Sequence, residues 1–225
     1  MDVGLLTVGD ELLSGETENT NASWLARRLT ERGATVQRIV VVPDDEAAIV
    51  RALEALRETG DTVIVTGGLG PTHDDVTMEA VAAAFDCEMR ESPEAAEWIE
   101  RETEYELDEL VPGTTAIPER AEFLPNPAGV APGAHIENVY VLPGVPKEMR
   151  EMFELIGPAF DGPASTTRVL TAEQPERDLV ADLRTASERF DVKIGSYPGG
   201  IVTIRIQGLD GEEVDAAATW LENRL

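Results

Sequence analysis

Thr62-Val63-Ile64-Val65-Thr66-Gly67-Gly68-Leu69-Gly70-Pro71-Thr72-His73-Asp74-Asp75-Val76-Thr77 is the stretch that decides the fold class. Thr62 to Val65 is a compact β-branched run, the pattern of a buried strand. Met78, Val81, Ala82 and Phe85 then recur at i, i+3, i+4, i+7, so a helix packs on the sheet to which the strand belongs. Between them lies a glycine-rich turn, which lets backbone N–H groups approach an anion closely. Asp74 and Asp75 inside that turn would repel a phosphate unless a divalent cation sits between them. The segment predicts a metal-assisted phosphate site. It is not a Walker loop, because no lysine follows the glycines, and it is not a dinucleotide fingerprint, because two aspartates stand where a pyrophosphate needs neutral backbone. No Arg or Lys occurs between Thr59 and Met89, so neutralisation falls to backbone N–H groups, the helix N-terminus and a metal. Thr72 and Asp75 also fit a capping box, which accounts for one carboxylate but not for Asp74 or Gly67-Gly68.

The same alternation extends to either side. Asp2–Val8 reads as a buried strand, followed by a loop, Gly9-Asp10-Glu11-Leu12-Leu13-Ser14-Gly15. Asn19-Thr20-Asn21 offers caps for a helix through Trp24, Leu25 and Leu29 that stops at Gly33. Thr35–Val42 is a second strand, and Asp44 can cap a helix whose apolar face is Ile49, Leu53 and Leu56. Strands alternating with helices predict an α/β fold, a three-layer α/β/α arrangement around a mostly parallel sheet. The loops at 9–15, 43–45 and 67–75 all follow strands, so they belong on one rim, where such sheets bind ligands. Ser92-Pro93 starts a further acidic helix. Residues 111–134 are rich in Pro and Gly, with one short strand at Glu122–Leu124. Asn138–Leu142 is a strand that turns through Pro143-Gly144-Val145-Pro146 into a helix bearing Met149, Met152, Phe153 and Ile156. A loop-like stretch at 157–163 predicts a boundary between a domain over 1–160 and a small β-α-β-β-α unit over 165–225.

The chain has 225 residues, 42% of them apolar, and a formal net charge of −26 with a pI near 4.2. That is enough apolar content for a real core. The acids are spread along the chain, and lysine occurs only at Lys147 and Lys193. Such charge repels itself until salt screens it, which reads as a halophile's cytoplasmic protein and disfavours nucleic-acid and anionic-membrane partners. No apolar run reaches membrane-spanning length, and no basic segment precedes the apolar N-terminus as in a signal peptide. The single cysteine, Cys87, excludes an internal disulfide framework and reads as a packing residue.

Several candidates carry a plainer reading beside the functional one. Asp10-Glu11 is a second carboxylate pair after a strand, or a solvated loop. Asp44 alone is a helix cap. His73 is a ligand, a proton carrier or an idle exposed residue, and His135 is structural. Asn126 is a turn residue or a polar contact to ligand. Pro143-Gly144 is a tight turn or another wall of the crevice.

Taken together, Gly9–Gly15 with Asn19-Thr20-Asn21, Gly67–Thr77, Asn126-Pro127-Ala128-Gly129-Val130-Ala131-Pro132-Gly133 and Leu142–Met149 resemble the molybdopterin-binding (MoaB/Mog-like) domain of competence/damage-inducible A proteins. The runs Asp74–Val81 and Gly195-Ser196-Tyr197-Pro198 are also similar to the N-terminal region of eukaryotic FAD synthases. The resemblance spans almost the whole chain. It implies a three-layer α/β/α fold, usually oligomeric. Its competence-type members are associated with metal-dependent hydrolysis of ADP-ribose or FAD, and its Mog-type members with molybdopterin binding and adenylylation. By motif match, Asp44 and Asp75 correspond to acidic residues of the Mog-type site, and Gly67, Gly68, Gly70 and Thr72 to the pterin or phosphate loop. The resemblance does not reach the deamidase domain of many competence-type proteins, so that activity is not carried over. It also breaks at Leu110–Ala116, where competence-type members carry an Asn and a Gln-Ala pair.

The expected sites follow. Asp44, Asp74 and Asp75 are the candidate catalytic residues. Gly67, Gly68, Gly70, Thr72, Thr77, Asn126, Pro143 and Gly144 would hold phosphate or ligand. Asp10, Glu11, Asp74 and Asp75 would hold a divalent metal (Mg, Mn or Co). The expected function is metal-dependent hydrolysis of an ADP-ribose- or FAD-like pyrophosphate. The alternatives are a molybdopterin-binding or adenylylating protein and a non-catalytic nucleotide-binding protein. The partner is a small nucleotide or pterin, within a homo-oligomer.

Overall fold

The computed structural model describes residues 1–163 and 165–225. The chain divides into two compact units: Met1–Thr30 with Ala34–Asp161, and Glu31–Gly33 with Gly162–Leu225. The second unit therefore takes in the short segment that ends the helix over Thr20–Glu31, tied by the Gly162 N–H donating to Arg32 O (2.8 Å).

In the larger unit the chain runs β1 (Asp2–Val8), α1 (Asp10–Ser14), α2 (Thr20–Glu31), β2 (Thr35–Val42), α3 (Glu46–Arg57), β3 (Thr62–Thr66) and α4 (Thr77–Ala84). It continues with β4 (Met89–Glu91), α5 (Pro93–Glu102), β5 (Ala116–Pro118), β6 (Glu122–Leu124), β7 (Gly133–Ile136), β8 (Val139–Leu142) and α6 (Pro146–Ile156). Six strands form one sheet in the order β2-β1-β3-β8-β7-β6. The first four are parallel, and β7 and β6 add antiparallel. The sheet is thus mostly parallel, with an antiparallel extension built from the Pro/Gly-rich stretch.

Alternation along β1 shows why both faces are covered. Leu6 and Val8 join Ile49, Leu53 and Leu56 of α3 and Val81 of α4 in one core. Val3 and Leu5 join Leu25 and Leu29 of α2 and Met149, Met152 and Phe153 of α6 in the other. A strand buried on both sides has no polar face to show, and each such large apolar side chain contributes about 1.5–3 kcal/mol on burial. Cys87 packs against the first core, as a small apolar residue would.

Four local expectations change. Residues 10–14 are a short helix rather than a loop, ended by Gly15 at φ 76°. The cap of α3 is Asp45, whose carboxylate accepts from the Ala48 N–H (2.8 Å), not Asp44. Thr72 and Asp75 do not cap α4, which starts at Thr77 after Val76. Residues 111–134 contain β5 and β7 besides β6. The β4–β5 pairing closes the base of an excursion that carries α5, capped by Ser92, and the segment after it.

The smaller unit has β9 (Thr166–Ala172), α7 (Glu176–Arg189), β10 (Lys193–Tyr197), β11 (Val202–Gly208) and α8 (Gly211–Glu222). Its antiparallel sheet is ordered β10-β11-β9. Leu170, Ile204 and Ile206 pack with Leu179 of α7 and Val214 and Leu221 of α8. This is the β-α-β-β-α succession expected from its apolar spacing.

Candidate functional site

Three parallel strands, β1, β2 and β3, end on one rim, and their following turns meet there. The Gly9 N–H donates to Val42 O (3.1 Å) and the Asp10 N–H to Asp44 Oδ2 (2.9 Å). The β1 and β2 turns are joined by those two bonds. The β3 turn enters through Gly67, whose N–H donates to Leu142 O (3.2 Å). Gly67 and Gly68 both take left-handed backbone, φ 106° and 62°, a conformation that favours glycine. A Cβ on Gly67 would also run into Val8 O, and one on Gly68 into Thr77 Oγ1.

The backbone of the glycine turn is left with donors to spare. Among the described residues, the N–H groups of Gly68, Leu69 and Gly70 donate to no protein acceptor, whereas Gly67 N is used by Leu142 and Thr77 N by Gly68 O (3.2 Å). Beyond the glycines, Thr72 and Asp75 close the turn on itself. The Thr72 N–H and hydroxyl both donate to Asp75 Oδ2, the former at 3.0 Å, and the Asp75 N–H returns to Thr72 O (3.1 Å). Asp75 is a brace for the turn as it stands.

Asp44 lies on the other side of Gly68. Burial raises its carboxyl above the ordinary aspartate range; the Asp10 amide pulls the other way, and the charges of Asp10, Glu11 and Asp74 add to the rise. Asp74 itself is exposed. Thr72, and then Asp74's own backbone N–H, hold its carboxyl below the ordinary range, with a smaller pull from His73. The expected metal ligands thus separate: Asp10, Glu11 and Asp74 act on Asp44 electrostatically, while Asp75 turns to Thr72. Among the described residues, no group of three His, Cys, Asp or Glu side chains is gathered to hold an ion. Those four carboxylates do not fit a metal as a preformed donor set.

The remaining candidates sort by burial. Thr77 is fully buried beneath Gly68 and supports the turn from below. Asn126 is fully buried as well. Its amide donates to Ala131 O (2.9 Å) and Glu148 Oε2 (2.8 Å), and its carbonyl accepts from the Ala128 N–H (3.2 Å). In the structure its amide group is engaged within its own turn and by Glu148. Pro143 and Gly144 offer their carbonyls to the Thr66 hydroxyl (2.7 Å) and to Asn21 Nδ2 (2.6 Å). The turn is held by the strand end of β3 and the start of α2; Gly144 lines a small hollow beside it, while Pro143 is buried. Asn19 caps α2 through the Ala22 N–H (3.1 Å) and donates to Thr7 Oγ1 (2.9 Å). His73 is almost fully exposed, 3.9 Å from Asp74. His135 stacks on Tyr140, 4.2 Å between centroids, and so is a packing residue.

Two hollows flank the glycines. A small one of about 90 Å³ is lined by Thr7, Glu11, Asn19, Asn21, Thr66 and Gly144. The larger, about 390 Å³, runs from Gly68–Thr72 and Asp75 to Tyr105, Leu110 and Val111. Periodicity gave no sign of this second wall, because it comes from a non-repeating segment brought over by the β4–β5 pairing. The exposed aromatic Tyr105 inside an acidic run was the available hint.

Residues 4–162 match the family model described as "Probable molybdopterin binding domain". The chain belongs to the molybdopterin-binding domain family. Within it, this molybdopterin-binding domain is of the MoaB/Mog-like, CinA type. It is 38% identical over its full length to a protein of Archaeoglobus fulgidus, covering 98% of that chain. It is 45% identical over 161 residues to a CinA-like protein of Citrifermentans bemidjiense, covering 68% of this chain but only 39% of that longer one. The crystal structure of the protein CinA with unknown function from Thermoplasma acidophilum superposes with a TM-score of 0.64 at 34% identity, over 71% of this chain and 97% of that one. A molybdopterin biosynthesis protein from Mycobacterium abscessus gives a TM-score of 0.50 at 25% identity, over 71% and 90%. No described helix of the molybdopterin-binding domain is long and apolar enough to cross a membrane.

Proposed function

We propose that this chain binds a phosphorylated pterin of the molybdopterin type, or its adenylylated form, in the larger hollow. One observation carries the reading: three consecutive backbone donors, at Gly68, Leu69 and Gly70, have no protein acceptor and border a cavity large enough for a ring and its phosphate. Phosphate oxygens accept from such a run of N–H groups, and because the Asp75 carboxylate lies against Gly70 the phosphate is expected to bring a divalent cation with it. Asp75 keeps the turn in shape by holding Thr72. The family supports the pterin, and the Mycobacterium abscessus relative is a molybdopterin biosynthesis protein.

Hydrolysis of an ADP-ribose- or FAD-like pyrophosphate is the competing chemistry. Asp44 is the residue that bears on it, because a carboxyl pushed up by burial and three acidic neighbours favours its protonated or cation-bound form. The acidic side chains assemble no cation site by themselves, so cation dependence is expected only together with a phosphate ligand.

The experiment is calorimetric titration in high salt with molybdopterin, ADP-ribose and FAD, each with and without Mg²⁺, Mn²⁺ or Co²⁺, followed by assay for released AMP. Saturable binding of molybdopterin without AMP release from the other two is the expected result. AMP release from ADP-ribose or FAD, with no binding of molybdopterin, would replace the pterin reading by the hydrolase.

A further inference from the structure

The Gly195-Ser196-Tyr197-Pro198 motif lies in the smaller unit, on and just after the edge strand β10, and the glycine turn leaves it unused. The sheet of that unit is covered on one face only. Leu170 and Ile204 turn inward to α7 and α8, and strand alternation puts their neighbours on the opposite face. There the register sets Tyr197 beside Thr203, and Arg205 between Gly195 and Val169, with Lys193 in the next row. Val169 is 59% exposed, Tyr197 56%, and Ile201, just before the inward Val202, 55%. Tyr197 leans over Gly195, where a Cβ would come within 3.2 Å of its hydroxyl. Large apolar side chains left open together on one sheet face mark a surface that a partner covers.

Charge points to the partner. The outward positions of the three strands include no acid, in a chain with 44 acids against 18 bases. Arg168, Arg177, Arg184 and Arg224 of the same unit are each ion-paired with an acid. Among the described residues Lys193 and Arg205 have no such partner. Residues 162–225 hold 11 acids and 7 bases, so residues 1–161 hold 33 and 11, and nearly all the net negative charge lies there. Its densest run is Pro93–Glu109, with eight acids against one Arg, every acid exposed. Glu100 and Glu104 in that run pair with no base among the described residues. Unpaired bases on one surface and unpaired acids on another are electrostatically complementary. An acid-free face is also where a second molecule of the same large negative charge meets least repulsion.

We infer that the outer face of the β10-β11-β9 sheet docks onto the acidic Pro93–Glu109 run of a second copy of this chain. Lys193 and Arg205 meet carboxylates of that run, centred on Glu100 and Glu104, while Val169, Tyr197 and Ile201 cover the apolar area between them. The contact is heterologous, joining different patches of the two copies. It concerns assembly and stands apart from the phosphate reading of the glycine turn.

The test is sedimentation equilibrium of the full chain in about 0.5 M KCl, which screens long-range repulsion more than contact pairs. Wild type is expected to associate beyond the monomer at micromolar concentration. Lys193→Glu combined with Arg205→Glu should weaken association by about tenfold or more, because like charges then face each other. Glu100→Lys combined with Glu104→Lys should do the same. All four positions are exposed, so both double variants should fold, which circular dichroism checks. Mixed together, the two variants again place opposite charges across the contact and should associate with each other. A monomeric wild type, association unmoved by the Lys193 and Arg205 changes, or no recovery on mixing would overturn the inference. A fluorescent single-stranded oligonucleotide is the control probe. Binding of it by a chain that stays monomeric, lost on changing Lys193 and Arg205, would overturn the inference and assign the face to nucleic acid.

Discussion

Gly67 stands with its Cα beside the Val8 carbonyl in left-handed backbone, and nothing with a Cβ fits there. Gly67→Ala is expected to cost about 2 kcal/mol or more, from backbone strain plus the collision, read as a lowered midpoint in urea. Asp44 behaves in the opposite sense. Its folded pKa is raised, so the folded chain holds that proton to a higher pH than the unfolded chain does. Asp44 therefore takes stability away as pH climbs from the ordinary carboxylate range through its folded value, and the loss persists above it. Asp44→Asn keeps an acceptor for the Asp10 N–H and removes the charge. It should raise Tm at pH 7 by roughly one or two degrees in dilute buffer, and by nothing at pH 3. A lower Tm at pH 7 would mean that Asp44 is paired more favourably than its surroundings indicate.

At the scale of elements, the helix α3 separates two adjacent aspartates by task. Asp45→Ala removes the cap bond to Ala48 and should cost about 1 kcal/mol, whereas Asp44→Ala should leave the helix intact; a thermal melt of each variant decides it. From sequence, Asp44 and Asp45 are equally good caps, and only the backbone phase of the β2 exit distinguishes them. The long elements were legible because Leu25/Leu29, Ile49/Leu53/Leu56 and Met149/Met152/Phe153 repeat over several turns. Residues 10–14 span barely more than one turn, too short for a period to show. Strands β5 and β7 are similarly short and lie among prolines and glycines. For the site, the rim could be read from strand order alone, and it brought Asp10, Asp44 and Gly67 together as expected. The fate of Asn126 could not be read, because its partner Glu148 lies far along the chain. Nor could the Tyr105–Val111 wall, which depends on the β4–β5 pairing.

Over the whole molecule, the charge of −26 sets the working conditions. Ion pairs such as Arg28–Glu154 and Arg57–Glu137 are too few to offset the excess of acids. Screening should therefore stabilise the fold: Tm is expected to rise by several degrees between 0.1 and 2 M KCl, and a flat or falling curve would show that self-repulsion is not the governing term. Salt works against phosphate binding less than usual here, because the proposed contacts are backbone dipoles in a cavity rather than exposed cations. The central claim is that Gly68, Leu69 and Gly70 hold the phosphate end of the ligand. The direct test is an amide-resolved NMR titration of the ¹⁵N-labelled chain with AMP in high salt. The account predicts saturable shifts largest at the amides of Gly68, Leu69 and Gly70; saturable binding that leaves those three amides unmoved would contradict it.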